Sequence, residues 1–526
     1  MVLTHRCIRG LEGAAPQGVA YPIRSRCYSL GGRVNCTDSR YSVGRWGNQE
    51  TTYLPASGIA LRRGGCDAGI LCKGDVGMKF KGLARWVPYL VMAMPACAGF
   101  SYVYLFGVNV VWNDEWALVN LASGISSGDT TILDLWEPHN EHRFIFPGIA
   151  ILLLAALTGW NTLAEMYLIQ ACLLVTLIAL LLTFRASVGS KPLFFVPVAF
   201  LVFSLVQSFN MLWGLQLTFV FVETFGVLTF FFLYLLGRGN RKRFAFPAAL
   251  LSGTIAAFSA IQGLIVWPVG LLQLFVSPIE KSKKKVLMAV WGSIGLAEWI
   301  VYFINFKAGP DSSSVLHPLT HPLAGTRYFL TLLGSSLVYP REESFAFVGG
   351  MLLASLVAAS LFVIYTSRRV EEYSFWLALL LFSLFILMAV TVGRSEAQGS
   401  PPPRYANFSV LAAVGVYAML AKSLLEDRSR AVVALFGTLC MVLILSMPLS
   451  YYKGIKAGYG RESRMQQAAY VLQTYGSHPD ACLKLVRRNN AHTVRLLAPE
   501  LEKLGYSVFS EPRVSPPPNL RSRCRG

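Results

Sequence analysis

Residues 162–184 read TLAEMYLIQACLLVTLIALLLTF, a run that is hydrophobic almost throughout. A transmembrane α-helix needs about 20 predominantly apolar residues to cross the hydrocarbon core of a bilayer. Similar runs recur between residues 86 and 449, and the chain of 526 residues is 54% hydrophobic and only 14% charged. Soluble globular proteins carry about 25% charged residues. The sequence therefore predicts an all-α, polytopic membrane protein.

Eleven apolar segments are predicted to span the membrane. They are residues 86–108, 162–184, 192–209, 216–236, 246–261, 264–277, 286–305, 346–366, 374–393, 405–424 and 431–449. Two further apolar segments, 144–158 and 327–339, are shorter than a full span. We expect both to form interfacial or re-entrant helices.

The distribution of Lys and Arg predicts the orientation of these spans. With the N-terminus inside, the inner connections hold eighteen basic residues and the outer connections six. Counting 144–158 as a full span would move the basic cluster at 238–243 to the outer side. Because cytoplasmic loops carry the excess of Lys and Arg, we expect a cytoplasmic N-terminus and an extracytoplasmic C-terminus.

The formal net charge of +19 is spread along the chain. Residues 1–77 contribute +5, residues 451–526 contribute +8, and the membrane region contributes the remaining +6. No basic stripe with interleaved aromatic residues is present, so the charge predicts no nucleic-acid partner. Five of the ten cysteines lie within residues 1–77 without a Cys-x-x-Cys pair, which predicts no zinc or redox site.

The chain divides into three predicted regions. Residues 1–77 lack helical or strand periodicity, and Met78 begins a basic leader into the first span. We therefore expect residues 1–77 to be a mis-called or disordered extension, the alternative being a genuine cytoplasmic tail. Residues 78–450 form the membrane domain, with a first outer loop at 109–161. Residues 451–526 are predicted to form a small extracytoplasmic α/β segment, with a helix near 461–475, an alternating stretch at 505–509, and disorder after about residue 513.

The first outer loop begins with an acidic pair, Asp114 and Glu115. Asn113 or Asp114 is predicted to cap a surface helix, because an apolar stripe follows at Leu118, Leu121, Ala122 and Ile125. A carboxylate held at the membrane surface could accept the proton of an attacking hydroxyl, so both acids are candidate catalytic residues. The alternative is a pair of solvated acids that merely favour a helix N-terminus.

The same loop ends in His139, Asn140, Glu141, His142 and Arg143. The two histidines, with Glu141 between them, could supply metal ligands if this segment were helical. The alternative is that they bind headgroups, backbone or one another, and we assign them to substrate binding and assign no metal site. Arg143 is suited to phosphate, because its planar guanidinium can bind two oxygens at once.

Further candidate substrate-binding residues are predicted near the same face. Trp213 and Gln216 lie in a turn between two spans, where an ordinary interfacial tryptophan is the alternative. Glu223 is an intramembrane acid, which is costly and is therefore a functional candidate. Arg394, Arg404 and Tyr405 border a Gly/Ser/Pro-rich loop, where the arginines could bind a lipid phosphate or simply anchor helix ends.

These features resemble the GT-C superfamily of integral-membrane glycosyltransferases, which includes protein O-mannosyltransferases, aminoarabinose transferases and uncharacterised bacterial members. The resemblance covers about residues 80–510. It is carried by the order of one span, an acidic pair and a surface helix, and by four short motifs. These are Asn140-Glu141-His142-Arg143, Trp213-Gly214-Leu215-Gln216, Gly263-Leu264-Ile265-Val266-Trp267-Pro268 and Arg404-Tyr405.

The resemblance implies a polyprenyl-phosphate-linked sugar donor, a lipid or glycan acceptor bound on the outer side, and an inverting displacement. By that analogy Asp114 is the base, Glu115 assists it, and Arg143, Arg394 and Arg404 hold the donor phosphate. Relatives differ in metal dependence, so the resemblance leaves a divalent cation, Mg²⁺ or Mn²⁺, open as a cofactor.

Two other functions fit a polytopic membrane protein. A transporter or lipid flippase would show internal repeats and a midplane site, whereas the polar residues here gather at one face. A polysaccharide polymerase or ligase would also use outer-face arginines, but its main loop would come late in the chain.

Overall fold

The computed structural model describes residues 86–239, 242–306, 314, 317–339, 342–488, 490–513, 515–516, 520 and 524. Every feature described below belongs to the unit Lys73–Gly526. The expectation about residues 1–77 lies outside the described residues, as does most of the segment after 513.

The described residues form eighteen α-helices joined by short 3₁₀ turns. The helices are α1 Val87–Phe106, α2 Trp116–Ser127, α3 Ile145–Thr158, α4 Thr162–Ser187, α5 Val196–Val202, α6 Ser208–Met211, α7 Leu217–Gly237, α8 Lys242–Ala257, α9 Val266–Val276, α10 Lys281–Phe303, α11 His317–Thr320, α12 Pro322–Gly334, α13 Glu343–Ser367, α14 Ser374–Arg394, α15 Ala406–Glu426, α16 Arg430–Gln473, α17 Asp480–Leu483 and α18 Ala491–Leu504.

Nine helical segments in the described ranges are long and apolar enough to cross a membrane, against the eleven predicted. The two exceptions are neighbours, α8 and α9, which have 16 and 11 residues. At a rise of 1.5 Å per residue they reach about 24 and 17 Å, short of a bilayer core of about 30 Å. The described residues thus form an all-α, multi-pass membrane protein.

The two segments predicted to be too short for a span form short helices. Residues 144–158 correspond to α3, which has 14 residues, and 327–339 overlap α12, which has 13. Gly159 ends α3 in the left-handed region at φ 66°, so the chain reverses sharply there and enters α4. The loop from α1 to α4 therefore stays at one end of the helix bundle, which we call the loop face.

Helix α15 forms the centre of the bundle. Every residue from Ala406 to Ser423 is buried, whereas α10 and α16 expose most of their apolar side chains. Helix α15 packs against α14, and α7 packs against α4 and α8. Polar side chains inside the bundle are paired across helices, as where Thr176 and Thr224 hydroxyls lie 3.0 Å apart. Such pairing is needed where no water reaches.

The C-terminal segment is helical where the structure describes it, so the expected α/β tail is not confirmed. The helix predicted near 461–475 is the end of α16, which continues unbroken from the membrane to Gln473. The alternating stretch is a 3₁₀ turn, Ser507–Ser510, instead of a strand. Ser507 has φ 54°, and its backbone N–H donates to the Gly159 carbonyl at 2.9 Å. A strand conformation would break this anchor to the end of α3.

We expect Gly263→Ala to destabilise the fold, because its new methyl group would overlap the backbone carbonyl of Ala256 within the α8–α9 hairpin. Overpacking of this kind costs about 1–3 kcal/mol. The thermal unfolding temperature of the purified protein in detergent should fall. Gly292→Ala in α10 is the control, since a methyl group added there would meet no atom within 4 Å. Equal unfolding temperatures for the two variants would contradict the close packing of the hairpin.

Candidate active site

A polar cavity of about 520 Å³ lies at the loop face. Its walls come from the first loop, from the turn before α7, and from the ends of α14 and α15. Nine of the residues predicted from sequence line it, namely Asp114, His139, Asn140, Glu141, His142, Trp213, Gln216, Arg394 and Arg404. The structure therefore brings together side chains that are up to 290 positions apart in the sequence.

Asp114 lies in a 3₁₀ turn, Asn113–Glu115, that the C-terminal segment holds in place. The Asn113 backbone N–H donates to the Val486 carbonyl at 2.8 Å, and the Trp112 indole donates to the Leu485 carbonyl at 3.0 Å. Neither Asn113 nor Asp114 caps α2 as predicted, because Asn113 adopts φ 54° and the turn precedes the helix. Asp114 is half-buried and interacts electrostatically with Arg404, His139 and Arg487.

The segment from His139 to His142 is a tight turn and not the helix that a paired-histidine metal site requires. The two histidines exchange backbone hydrogen bonds of 2.9 and 3.1 Å, and Asn140 turns the chain at φ 54°. Asparagine tolerates this left-handed conformation better than most residues. In the described part of the chain, no three His, Cys, Asp or Glu side chains are grouped to hold a metal ion.

Both histidines are uncharged in the cavity at neutral pH. Burial, together with nearby Arg404 and His139, lowers the pKa of His142 to about 3. Burial also lowers the pKa of His139, although Asp114 acts in the opposite direction. A neutral imidazole keeps one nitrogen as a hydrogen-bond acceptor. His139 and His142 can therefore accept hydrogen bonds from hydroxyl groups of a ligand.

Arg394 and Glu141 form an ion pair at the edge of the polar cavity. Both side chains are largely buried, with exposures of 9% and 13%. The Tyr405 hydroxyl lies within hydrogen-bonding reach of Arg394 and Arg404. The Arg404 guanidinium carbon lies 6.0 Å from the centre of the Phe219 ring, and its Nε is buried without a hydrogen-bond partner. Positive charge is thus concentrated on one wall.

The lining of the polar cavity contains seven buried polar atoms without hydrogen-bond partners. They are His139 Nε2, Glu141 Oε2, His142 Nδ1, Trp213 Nε1, Gln216 Oε1, Thr218 Oγ1 and Arg404 Nε. More than about 90% of buried polar groups in folded proteins are paired, and exceptions call for a ligand, an ion or water. Such a concentration of donors and acceptors is typical of a site that binds a polyhydroxylated or charged molecule.

Arg143 does not face the polar cavity, so its predicted contact with phosphate is not supported by the geometry. It is 1% exposed, and its Nε donates to the Tyr302 carbonyl at 2.8 Å. Its other guanidinium nitrogens donate to the carbonyls of Trp136 and Ile304. Each of the three guanidinium nitrogens thus donates to a backbone carbonyl within the protein. Arg143 instead fastens the first loop to the end of α10.

Glu115 and Glu223 also lie away from the polar cavity. Glu115 is 1% exposed, and its Oε2 accepts the Trp112 backbone N–H at 3.1 Å. Burial raises the pKa of Glu115, in a pair with the neighbouring carboxyl group of Glu165. Glu223 is fully buried in α7 and accepts a 3.2 Å hydrogen bond from the side-chain amide of Asn407. Neither acid is placed to touch a ligand in the cavity.

An apolar groove of about 1,100 Å³ adjoins the polar cavity, and the sequence analysis did not identify it. Glu141 and Arg394 line both spaces, and Tyr405 lines the groove. Its other walls are mostly apolar and come from α10, α14 and the turn before α9, including Trp299, Phe303, Phe306, Ile261 and Leu264. Aromatic residues at positions 299, 303 and 306 follow helical spacing, and this spacing was the feature of the sequence that could have indicated the groove.

We expect Glu115→Gln to weaken the pH dependence of stability. A carboxyl group whose pKa is raised by folding stabilises the protein fully below its ordinary pKa, and this contribution is lost as the pH rises through the folded-state pKa. The wild-type unfolding temperature should therefore fall more steeply between pH 5 and pH 9 than that of the variant, whose amide still accepts the Trp112 N–H. Exposed Glu137→Gln is the control and should behave as wild type. Parallel curves for all three proteins would refute the buried carboxyl pair.

Comparisons with known proteins give distant similarities. No protein-family model matches this chain. An uncharacterised protein of Archaeoglobus fulgidus is 28% identical over 211 residues, which is 37% of this chain and 52% of that protein, so the chain spans about half of the relative's length. Crystal structures of ArnT from Cupriavidus metallidurans are similar to this chain at 16% identity and a TM-score of 0.39 when bound to undecaprenyl phosphate, and at 14% and 0.37 in the apo state. The alignments cover 81% and 84% of this chain and 76% and 78% of the ArnT chains.

Proposed function

We propose that the protein is a membrane glycosyltransferase that moves a sugar from a polyprenyl-phosphate donor to an acceptor on the extracytoplasmic face. The observation that carries the proposal is the junction of the polar cavity with the apolar groove at Glu141 and Arg394. A polyprenyl-phosphate sugar has a matching order of parts, namely an apolar chain, then a charged phosphate, then a polyhydroxylated sugar. The motif resemblance to GT-C enzymes supplies the reaction class.

The apolar groove is suited to the first isoprene units of the donor. It is lined by α10, whose Trp299 and Phe303 side chains are each 40% exposed. A lipid chain could therefore enter laterally from the bilayer. The charge at the inner end of the groove would stop the chain and fix the phosphate at Arg394.

The phosphate would be held by Arg394, Arg404 and the Tyr405 hydroxyl. Glu141 orients Arg394 through their ion pair, and Arg404 retains an unpaired Nε–H. Arginine binds phosphate oxygens in a planar, bidentate manner. These donors would also stabilise the charge that develops on the leaving phosphate.

The sugar would occupy the polar cavity, where Asp114 is the proposed base. The acceptor hydroxyl gives its proton to the Asp114 carboxylate while its oxygen forms a bond to the anomeric carbon. The bond from that carbon to the phosphate oxygen breaks at the same time, and polyprenyl phosphate leaves with the electron pair. His139, His142, Gln216 and Trp213 would hold the sugar through their unpaired polar atoms. Glu115 positions the Asp114 turn and does not touch substrate.

The extracytoplasmic placement of the loop face rests on two observations. The inner connections hold three times as many basic residues as the outer ones. In addition, Cys482 and Cys524 form a disulfide in the segment that covers the Asp114 turn. Disulfides persist mainly outside the cytosol.

Among the described residues no three His, Cys, Asp or Glu side chains are grouped to hold a metal ion, and the steps above use groups of the protein alone.

We expect Asp114→Asn to lower kcat by at least a hundredfold with little change in KM, because the amide cannot accept the hydroxyl proton. The assay follows release of polyprenyl phosphate from a panel of polyprenyl-phosphate sugars with purified protein. Asp129→Asn, on an exposed part of the same loop, is the matched control and should retain activity. Full turnover by Asp114→Asn would remove it as the base, and no turnover of any donor by wild type would favour a lipid transporter.

Arg404→Gln should weaken binding of the donor about tenfold or more, since it removes a buried cation facing the phosphate. The measurement is the apparent affinity for polyprenyl phosphate, the product, in detergent. Arg327→Gln is the matched control, because Arg327 is exposed on α12 and lines neither space. Equal affinities for both variants would place the phosphate elsewhere.

A further inference from the structure

A second cavity, of about 1,120 Å³, shares no lining residue with the apolar groove. Four basic residues of α16 line it, namely Lys453, Lys456, Arg461 and Arg464. Their spacing of three, five and three residues places them along one face of the helix. Glu342 is the acid in the lining and pairs with Lys453 at 2.6 Å. We call this space the basic cavity, and its lining carries a net positive charge of three.

Arg461 is the most constrained of these cations. Its guanidinium carbon lies 4.2 Å from the centre of the Trp112 ring and 5.7 Å from that of Phe209. Its Nε is buried and has no hydrogen-bond partner. Stacking on aromatic rings stabilises a partly desolvated guanidinium. A buried donor without a partner, however, indicates that a further acceptor completes the site.

A neighbouring face of α16, which carries Gly454 and Gly458, packs against α1. Gly458 lies close to Phe106, since a methyl group added at Gly458 would be 2.8 Å from the Phe106 ring. The Tyr102 hydroxyl donates a hydrogen bond to the Gly454 carbonyl at 2.7 Å. The hydroxyls of Ser208 and Tyr339 lie 3.2 Å apart and line the same cavity. The basic cavity thus combines charged and neutral hydrogen-bonding groups, as sites for phosphate esters do.

A thin aromatic wall separates the basic cavity from the polar cavity. Phe209 lines the first and Trp213 lines the second, with their ring centres 5.5 Å apart. Trp112 packs on Trp213 at 4.7 Å and lies beneath Arg461. Pro403 and Arg404, adjacent in sequence, face the basic and the polar cavity respectively. A molecule in the basic cavity is therefore one side-chain layer from the proposed site of transfer.

We propose that the basic cavity binds a phosphate group carried by the acceptor, so that the enzyme takes a phosphorylated acceptor. This assignment rests on the proposed function, whereas phosphate binding in the cavity does not. The apolar groove and the basic cavity have separate walls, and each adjoins the polar cavity, which lets donor and acceptor approach it separately. The phosphate would belong to the acceptor and not to a phospholipid of the bilayer.

The test is titration of the full-length protein, in a zwitterionic detergent, with inorganic pyrophosphate. The variants compared all carry Arg404→Gln, which removes binding at the proposed donor site. Adding Lys456→Gln and Arg464→Gln should weaken the remaining binding at least tenfold. Adding Lys484→Gln and Arg488→Gln instead removes the same charge from exposed positions outside the cavity and should leave binding unchanged. Equal binding by these two variants would overturn the proposal.

The two proposals fail in different ways. Identical pyrophosphate binding by wild type and Arg404→Gln would contradict the proposed donor site without contradicting phosphate binding in the basic cavity. A second arm uses nanodiscs of phosphatidylcholine with or without phosphatidylglycerol. Pyrophosphate binding that persists in phosphatidylglycerol supports an acceptor phosphate, whereas its loss would assign the cavity to bilayer lipid and overturn the acceptor assignment.

Discussion

The arrangement of the site depends on the ion pair between Glu141 and Arg394. It joins the first loop to the end of α14 across 253 positions of sequence. A largely buried ion pair gives little net stability, because both groups lose their hydration. Removing one partner would nevertheless leave an uncompensated charge, so the pair favours one placement of the loop. That placement puts the polar cavity and the apolar groove on either side of the same two residues.

The rest of the first loop is held in place by hydrogen bonds to other parts of the protein. Arg143 binds three carbonyl groups near the end of α10 and in the loop itself. The turn carrying Asp114 is held by backbone groups at positions 485 and 486, in the C-terminal segment. The C-terminal segment is thus part of the site, since it positions an acid that precedes it by more than 370 residues. These contacts leave the cavity atoms without partners, which is the expected state of a binding site before its ligand arrives.

Sequence reasoning singled out polar candidates because a charged or amide side chain in an apolar chain is conspicuous. Nine of those residues line the polar cavity. Sequence reasoning could not distinguish a side chain that faces a ligand from one that already has hydrogen-bond partners within the protein. Arg143 is bonded to three backbone carbonyls, Glu115 is buried beside another acid, and Glu223 accepts a hydrogen bond from Asn407. The basic residues in the second half of α16 entered the sequence analysis only as part of the +8 charge of residues 451–526, and the structure shows that four of them line one cavity.

The sequence by itself determined the membrane class, the positions of most helices and the gathering of polar residues near one face. These follow from the length and hydrophobicity of each segment, which are local properties. Only the tertiary structure decided that residues 507–510 form a turn and which acids meet arginines. Those outcomes depend on the packing of segments hundreds of residues apart, and no local pattern of residues specifies it.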